Sequence, residues 1–111
     1  GMRCARQLRA LQAPPDAIFS SSDYAALGAM QWLKRQGLAI PEQIAIVGFA
    51  NEPFTSYVEP ALSSVDQHST RMGHYAARVF LEALNGEDKH PPRKTVMEPE
   101  LIIRASSLRK S

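Results

Sequence analysis

The sequence contains a single cysteine, Cys4, so no disulfide can form within the chain. One free cysteine, which we expect to be buried, is typical of a protein from a reducing compartment. No apolar run approaches the ~18 residues that a transmembrane helix needs, and no charged-then-apolar leader opens the chain. We therefore expect no membrane partner and no secretory signal.

Neither sign of charge dominates the chain. The formal net charge is +2, which does not indicate a nucleic-acid-binding surface. Part of that charge comes from Arg104, Arg109 and Lys110 near the C-terminal end, and we expect these side chains to be solvated.

Motifs for enzyme chemistry are also missing. There is no glycine-rich phosphate loop and no nucleophile elbow. The three histidines (His68, His74 and His90) are scattered, and no cysteine or carboxylate accompanies them at metal-ligand spacing. A Ser64, His68 and Asp66 triad can be drawn, but nothing in the spacing favours it. We expect no enzyme activity, no metal and no cofactor.

What remains is an ordinary globular composition, with 44% hydrophobic and 22% charged residues in 111 positions. This length corresponds to one domain or part of one. A short apolar run, Ile44–Val47, is followed by Gly48 and then by a polar cluster that ends at Pro53. Unbroken apolar runs of this length are typical of strands that are buried on both faces of a parallel sheet.

The residues after this strand are candidates for ligand contact. In open parallel sheets, ligands bind beyond the carboxyl ends of the strands, where Phe49, Ala50, Asn51 and Glu52 would lie. A tight turn with no ligand explains the same residues, and the local pattern leaves both interpretations open.

A second strand and a helix precede this one. Ala17–Phe19 reads as a short buried strand, and Ser20–Asp23 supplies good N-cap residues for a helix from about Tyr24 to Gln36. Strand, helix and strand within about thirty residues predict a right-handed βαβ unit with parallel strands. The polar loops Ser20–Asp23 and Phe49–Glu52 should then lie at the same edge of the sheet.

Further elements follow from periodicity and from glycine and proline positions. The pattern predicts helices at Met2–Gln12 and Thr70–Asn85, a polar connection at Glu87–Pro92, and strands at Leu62–Gln67, Lys94–Met97 and Leu101–Ile103. Phe54, Tyr57 and Val58 are apolar in a segment expected to be exposed, so they either fold back onto the core or form a contact surface.

Many short segments together resemble the C-terminal part of a LacI/GalR-family transcriptional regulator. The matching segments, which cover nearly all of the chain in family order, are Pro15–Phe19, Ser22–Asp23, Ala26–Ala29, Gly37–Leu38, Ile40–Pro41, Ile46–Phe49, Pro60–Val65, Met72–Gly73, Ala76–Ala77, Pro99–Arg104 and Ser106–Ser107. The resemblance implies an α/β fold, a parallel sheet flanked by helices, as part of a type I periplasmic-binding-protein-like domain.

The resemblance also implies a domain organisation. Residues 1–62 and 93–107 would form the C-terminal subdomain, and 63–92 would be a crossover and a helix of the N-terminal subdomain. The chain would then be a fragment without the DNA-binding headpiece of this family. The helix at Thr70–Asn85 would need a substitute partner or would expose its apolar stripe.

Site residues follow from the resemblance position by position. Ser22, Asp23, Phe49, Asn51 and Gln67 would contact the effector, and for Asp23 the favoured role is that of a helix cap. Ala50 occupies a position that is often Asp in the family, so Asn51 would supply an amide donor and acceptor instead. Family members dimerise through surfaces that correspond here to Leu27, Phe54, Tyr57 and Val58.

The implied function is the effector-sensing and dimerisation part of a cytoplasmic transcriptional regulator of the repressor type. Its partners would be a sugar or sugar derivative, a second copy of the chain, and operator DNA reached only through a headpiece. A periplasmic sugar-binding receptor of the same fold is one alternative. A small α/β hydrolase or transferase is the other.

Overall fold

The computed structural model describes residues 1–86 and 94–110, which form two compact units. The first unit contains Gly1–Asp66 and the segment from Leu101 onward, and the second contains Gln67–Glu100. The polar connection predicted at Glu87–Pro92 lies outside the described residues. The described residues include no helix that is both long and apolar enough to cross a membrane.

The described residues form three α-helices and four strands, which alternate along the chain. In order they are α1 (Met2–Arg9), β1 (Ala17–Phe19), α2 (Asp23–Arg35), β2 (Ala45–Val47), a 3₁₀ turn (Pro53–Ser56), β3 (Ser64–Asp66), α3 (Ser69–Leu84) and β4 (Glu100–Ile102). Helix α1 ends at Arg9, three residues before the predicted end at Gln12, because the chain must leave the α conformation before Pro14.

The predicted pairing of the first two strands is confirmed. β1 and β2 are parallel, with Ala17 opposite Ala45, Ile18 opposite Ile46 and Phe19 opposite Val47. A parallel bridge between Val47 and Ser63 continues the pairing toward β3, and β3 in turn pairs with β4. The carboxyl ends of β1 and β2 therefore lie at the same edge.

The core of the first unit lies between α2 and the β2 region. Its largest buried apolar side chains are Met30, Leu33, Ile44, Ile46 and Leu62. Burial of consecutive positions from Ile44 to Ile46 agrees with a strand that is covered on both faces. Ala26 and Ala29 are also buried, and their small side chains allow α2 to approach the strands closely.

Three sequence-based predictions about single segments are wrong. Cys4 is exposed rather than buried, so it gives no argument for a reducing compartment. The strand at Ala17–Phe19 is not buried as predicted, because Ala17 and Phe19 are both exposed. The segment Lys94–Met97 forms no strand.

The second unit is built around α3. None of the residues of α3 is buried, and Phe80 is 62% exposed, so the helix exposes its apolar stripe. Instead of pairing as a strand, the segment at Lys94–Met97 contributes Thr95 and Met97 to an open groove of about 620 Å³ along α3. The Tyr75 hydroxyl lies 3.0 Å from the Thr95 hydroxyl within this unit.

Candidate functional site

Two polar loops meet at the carboxyl ends of β1 and β2 and form what we call the polar rim (Ser20–Asp23 and Phe49–Glu52). The Ser20 amide donates to the Val47 carbonyl at 2.8 Å, and the Asp23 amide donates to the Phe49 carbonyl at 3.1 Å. The prediction that both loops share one sheet edge is therefore confirmed by direct backbone hydrogen bonds between them.

Asp23 joins the rim to β3. Its side chain is completely buried. Oδ2 accepts a hydrogen bond from the Glu52 amide at 2.7 Å, and Oδ1 accepts one from the Ser64 hydroxyl at 2.7 Å. A β-carbon added at Gly48 would lie 2.2 Å from Oδ1, so only glycine leaves room for this carboxylate. Asp23 therefore connects three segments of the chain at one point.

Capping of α2 falls to Ser22 and not to Asp23. The Ser22 hydroxyl oxygen accepts from the Ala25 amide at 3.1 Å, in the usual N-cap geometry with an extended backbone. The Ser22 carbonyl accepts from the Ser20 hydroxyl at 2.8 Å. The capping role suggested for Asp23 is thus wrong, because its carboxylate turns toward Glu52 and Ser64.

The second loop of the rim has an unusual backbone. Ala50 and Asn51 both have positive φ angles, 115° and 56°. Asn tolerates the left-handed region better than most residues, because its short polar side chain can bond locally. Two bonds to the β3 segment fix this turn, from the Ala50 amide to the Val65 carbonyl at 2.9 Å and from the Asn51 amide to the Ser64 hydroxyl at 2.9 Å.

The Asn51 side chain is half-buried and lies between two charged groups. Its Oδ1 accepts from Arg104 Nη2 at 2.8 Å, and its Nδ2 donates to Asp66 Oδ2 at 3.3 Å. The sequence predicted that this amide offers both a donor and an acceptor to an effector. In the structure the acceptor oxygen already bonds Arg104.

Arg104 is the residue that the sequence analysis missed. It was expected to be a solvated tail residue, but it is half-buried. Besides Asn51, its guanidinium donates to the Leu62 carbonyl at 2.7 Å and to the Thr55 hydroxyl at 3.0 Å. The apolar run Leu101–Ile103 predicts a strand shortly before Arg104, but it does not indicate which segments that strand lies beside.

Ser64 cannot act as the nucleophile of the triad drawn from the sequence. Its hydroxyl is completely buried, donates to Asp23 and accepts from the Asn51 amide. His68 belongs to the second unit and lies 3.9 Å from Glu100. Across the parts of the chain that the structure describes, no group of His, Cys, Asp and Glu residues could hold a metal ion.

The two remaining predicted effector contacts, Phe49 and Gln67, belong to different units. Phe49 belongs to the first unit, where it is half-buried and its carbonyl accepts from the Asp23 amide. Gln67 is also half-buried and is the first residue of the second unit. The structure therefore brings Ser22, Asp23, Phe49 and Asn51 together at the rim.

The predicted dimer residues differ in exposure. Phe54 and Val58 pack partly against the core, and the Phe54 ring lies 5.1 Å from the Tyr24 ring between centroids. Leu27 is half-buried on α2. Tyr57 is 86% exposed, and Tyr24 is 65% exposed. Of the two alternatives for this segment, folding back onto the core holds for Phe54 and Val58. Tyr57 stays on the surface, where it is available for contact.

A parallel sheet with polar loops joined at its carboxyl edge agrees with the fold of a periplasmic-binding-protein-like domain. The profile of the periplasmic binding protein-like domain family matches residues 1–107. The chain belongs to this family, in the form found in LacI-family transcriptional regulators. The resemblance seen in the sequence is therefore confirmed.

Three relatives illustrate the similarity. The transcriptional repressor CytR of Escherichia coli (strain K12) is 37% identical over 107 residues, which are 96% of this chain and 31% of CytR. A structure of the regulator CelR in complex with cellobiose is 34% identical, with a TM-score of 0.76 over 83% of this chain and 28% of the other. A LacI-family regulator from Lactobacillus casei with bound sucrose is 28% identical, with a TM-score of 0.81 over 96% and 39%.

The present chain spans about a third of the length of the curated relatives that it matches. The relatives are named as transcriptional regulators.

Proposed function

We propose that this chain is the effector-sensing part of a LacI-type transcriptional regulator. The observation that carries the proposal is the polar rim, in which the loops after β1 and β2 are joined by Asp23 at the edge where parallel sheets bind ligands. An effector that binds one conformation of the whole regulator better than another would shift the balance between them and so change DNA affinity.

The effector contacts we propose are Ser22, Phe49 and Asn51 at the rim, together with Gln67, which is assigned by the resemblance alone. We propose that Asp23 holds the rim in shape, since both of its oxygens bond groups of this chain. A sugar or sugar derivative is the proposed effector class. Two relatives support this class, because their structures contain cellobiose and sucrose.

The proposed regulator acts in the cytoplasm and reaches operator DNA through a headpiece outside the residues of this chain. It is not an enzyme, which is supported by the buried and fully engaged hydroxyl of Ser64. We also propose that residues 1–62 and 93–107 form one subdomain and that 63–92 form the crossover and a helix of the other. The separate compact unit at Gln67–Glu100 supports a division near these positions.

The regulatory proposal predicts a linkage between sugar and DNA. Fluorescence anisotropy with the intact protein and the DNA upstream of its own gene should show an apparent Kd that changes at least fivefold when cellobiose or sucrose saturates the protein. This change in Kd follows from the coupling free energy between an effector site and a DNA site, which is typically about 1–3 kcal/mol. An unchanged Kd with a sugar that calorimetry shows to be bound would rule the mechanism out.

We propose that Leu27, Phe54, Tyr57 and Val58 contribute to a homodimer interface. Tyr57 is the residue to substitute, because it is the most exposed of the four and replacing its side chain leaves the core intact. Placing a charge in an apolar interface is costly, so Tyr57→Asp should halve the sedimentation mass of the intact protein at micromolar concentration. Glu59→Asp, on the same exposed segment, is the matched control. A dimer that persists in Tyr57→Asp would exclude this surface.

A further inference from the structure

The carboxamide of Asn51 lies between a cation and an anion, and these two neighbours fix its orientation independently. Oδ1 is 2.8 Å from Arg104 Nη2, and Nδ2 is 3.3 Å from Asp66 Oδ2. A guanidinium only donates hydrogen bonds, and an ionised carboxylate only accepts them. The amide oxygen must therefore face Arg104 while the amide nitrogen faces Asp66, since a flipped amide would lose both bonds.

Arg104 is itself held in place at both ends. Its Nη1 donates to the Leu62 carbonyl at 2.7 Å and to the completely buried Thr55 hydroxyl at 3.0 Å. Its backbone amide donates to the buried Ser63 hydroxyl at 2.7 Å. A guanidinium with this many fixed acceptors has little freedom to follow Asn51. The amide must adapt to the arginine rather than the reverse.

We propose that Arg104 is a positioning residue of the effector site, which it serves by turning Asn51 into a pure hydrogen-bond donor. The Asn51 oxygen faces two donors of this chain, Arg104 Nη2 at 2.8 Å and the Thr55 hydroxyl at 3.4 Å, so the Nδ2 hydrogen that does not face Asp66 is what Asn51 can offer to a ligand. This inference rests on the proposed function, because it assigns the chemistry of the same polar rim.

The arrangement selects among ligand groups. A hydroxyl can accept from Asn51 Nδ2 and donate to the neighbouring Asp66 carboxylate, so it satisfies both. An ionised carboxylate can accept from Nδ2 but cannot donate to Asp66, so it satisfies only one of the two groups. The geometry therefore fits a hydroxyl at this position better than a group that only accepts.

Solvent exchange of the Asn51 side-chain amide tests the positioning directly. In the intact protein with ¹⁵N-labelled asparagine side chains, Asn51 is identified by the loss of its signal in Asn51→Asp. We expect its amide hydrogens to exchange at least tenfold more slowly than those of the exposed Asn85. Equal rates in the wild-type protein would overturn the proposal without any variant.

Two arginine variants separate positioning from general stability. Arg104→Met removes the donor and should raise the exchange rate of the Asn51 amide at least tenfold, whereas Arg104→Lys, which keeps one donor, should recover part of the protection. Arg109→Met is the matched control, because Arg109 also anchors backbone carbonyls but has no contact with Asn51. If Arg104→Met and Arg109→Met change the exchange rate of the Asn51 amide equally, the role of Arg104 is structural only and the proposal is wrong.

Calorimetric titration with cellobiose and sucrose tests the link to the effector. Arg104→Lys should weaken binding of the recognised sugar at least fivefold, and Arg109→Lys should not. Equal affinity in wild type and Arg104→Lys would overturn the role of Arg104 in the effector site. If the wild-type protein binds neither sugar, the sugar assignment of the proposed function fails, and the exchange rates still decide whether Arg104 positions Asn51.

Discussion

Replacing Asp23 with alanine is expected to lower the free energy of unfolding by about 4 kcal/mol, because two hydrogen bonds to a buried charged group are lost together. The Asp23 carboxylate is completely buried, and it accepts from the Glu52 amide and from the Ser64 hydroxyl. Removing it leaves both donors without their acceptor in the interior. Urea denaturation followed by circular dichroism measures the loss.

Two further substitutions show whether the cost comes from the buried bonds. Asp23→Asn keeps one acceptor oxygen but presents an amide nitrogen to the second donor, so its loss should be intermediate, about 2 kcal/mol. Asp16→Ala removes an aspartate whose side chain is 82% exposed and whose oxygen lies 3.6 Å from Arg109, and should cost under about 1 kcal/mol. If Asp23→Ala is as stable as Asp16→Ala, Asp23 does not hold the rim together.

The consequence for function follows from the same contacts. Glu52 and Ser64 belong to segments that also carry the Asn51 turn, since the Asn51 amide donates to the Ser64 hydroxyl. Loss of the carboxylate would therefore loosen the loop that presents the proposed effector contacts. We therefore propose that Asp23 influences the proposed effector site through the backbone of that loop rather than by touching a ligand.

The parallel strands and the shared sheet edge were predictable because their signals are local. Ile44–Val47 is a short apolar run followed by glycine, and Ser20–Asp23 contains good capping residues after another short apolar run. Each pattern is complete within about ten residues. A βαβ unit then leaves little choice of topology, so these two local patterns are enough to predict where the rim lies.

The polar contacts across the sheet could not be predicted, because they join residues far apart in the sequence. The Ser64–Asp23 bond spans 41 positions, and the Arg104–Asn51 bond spans 53. An arginine near the end of a chain has the same local sequence whether it is solvated or folded inward. Only the course of β4 beside β3 shows that Arg104 returns to the rim.

The exposure of Cys4 could not be predicted either. Cys4 was expected inside but lies on the exposed side of α1, where Ala5 is the buried residue. The expectation for Cys4 rested on its residue type alone, because cysteine is among the most often buried residues. Residue type does not say on which side of a helix a side chain lies.

The polar rim as the effector site is tested most directly by calorimetric titration of the intact protein with cellobiose and sucrose, comparing wild type with Asn51→Gly. Glycine accepts the positive φ of 56° at this position, so the substitution removes the amide without straining the turn. Loss of a hydrogen bond in the site, about 1.4 kcal/mol or more, predicts at least tenfold weaker binding of the recognised sugar.

Asn85→Gly, an exposed asparagine at the end of α3, is the matched control and should bind as the wild type does. Circular dichroism of each variant confirms that the fold is retained. We expect a tenfold or larger rise in Kd for Asn51→Gly alone. A Kd for Asn51→Gly equal to that of the wild-type protein would contradict the assignment of the polar rim as the effector site.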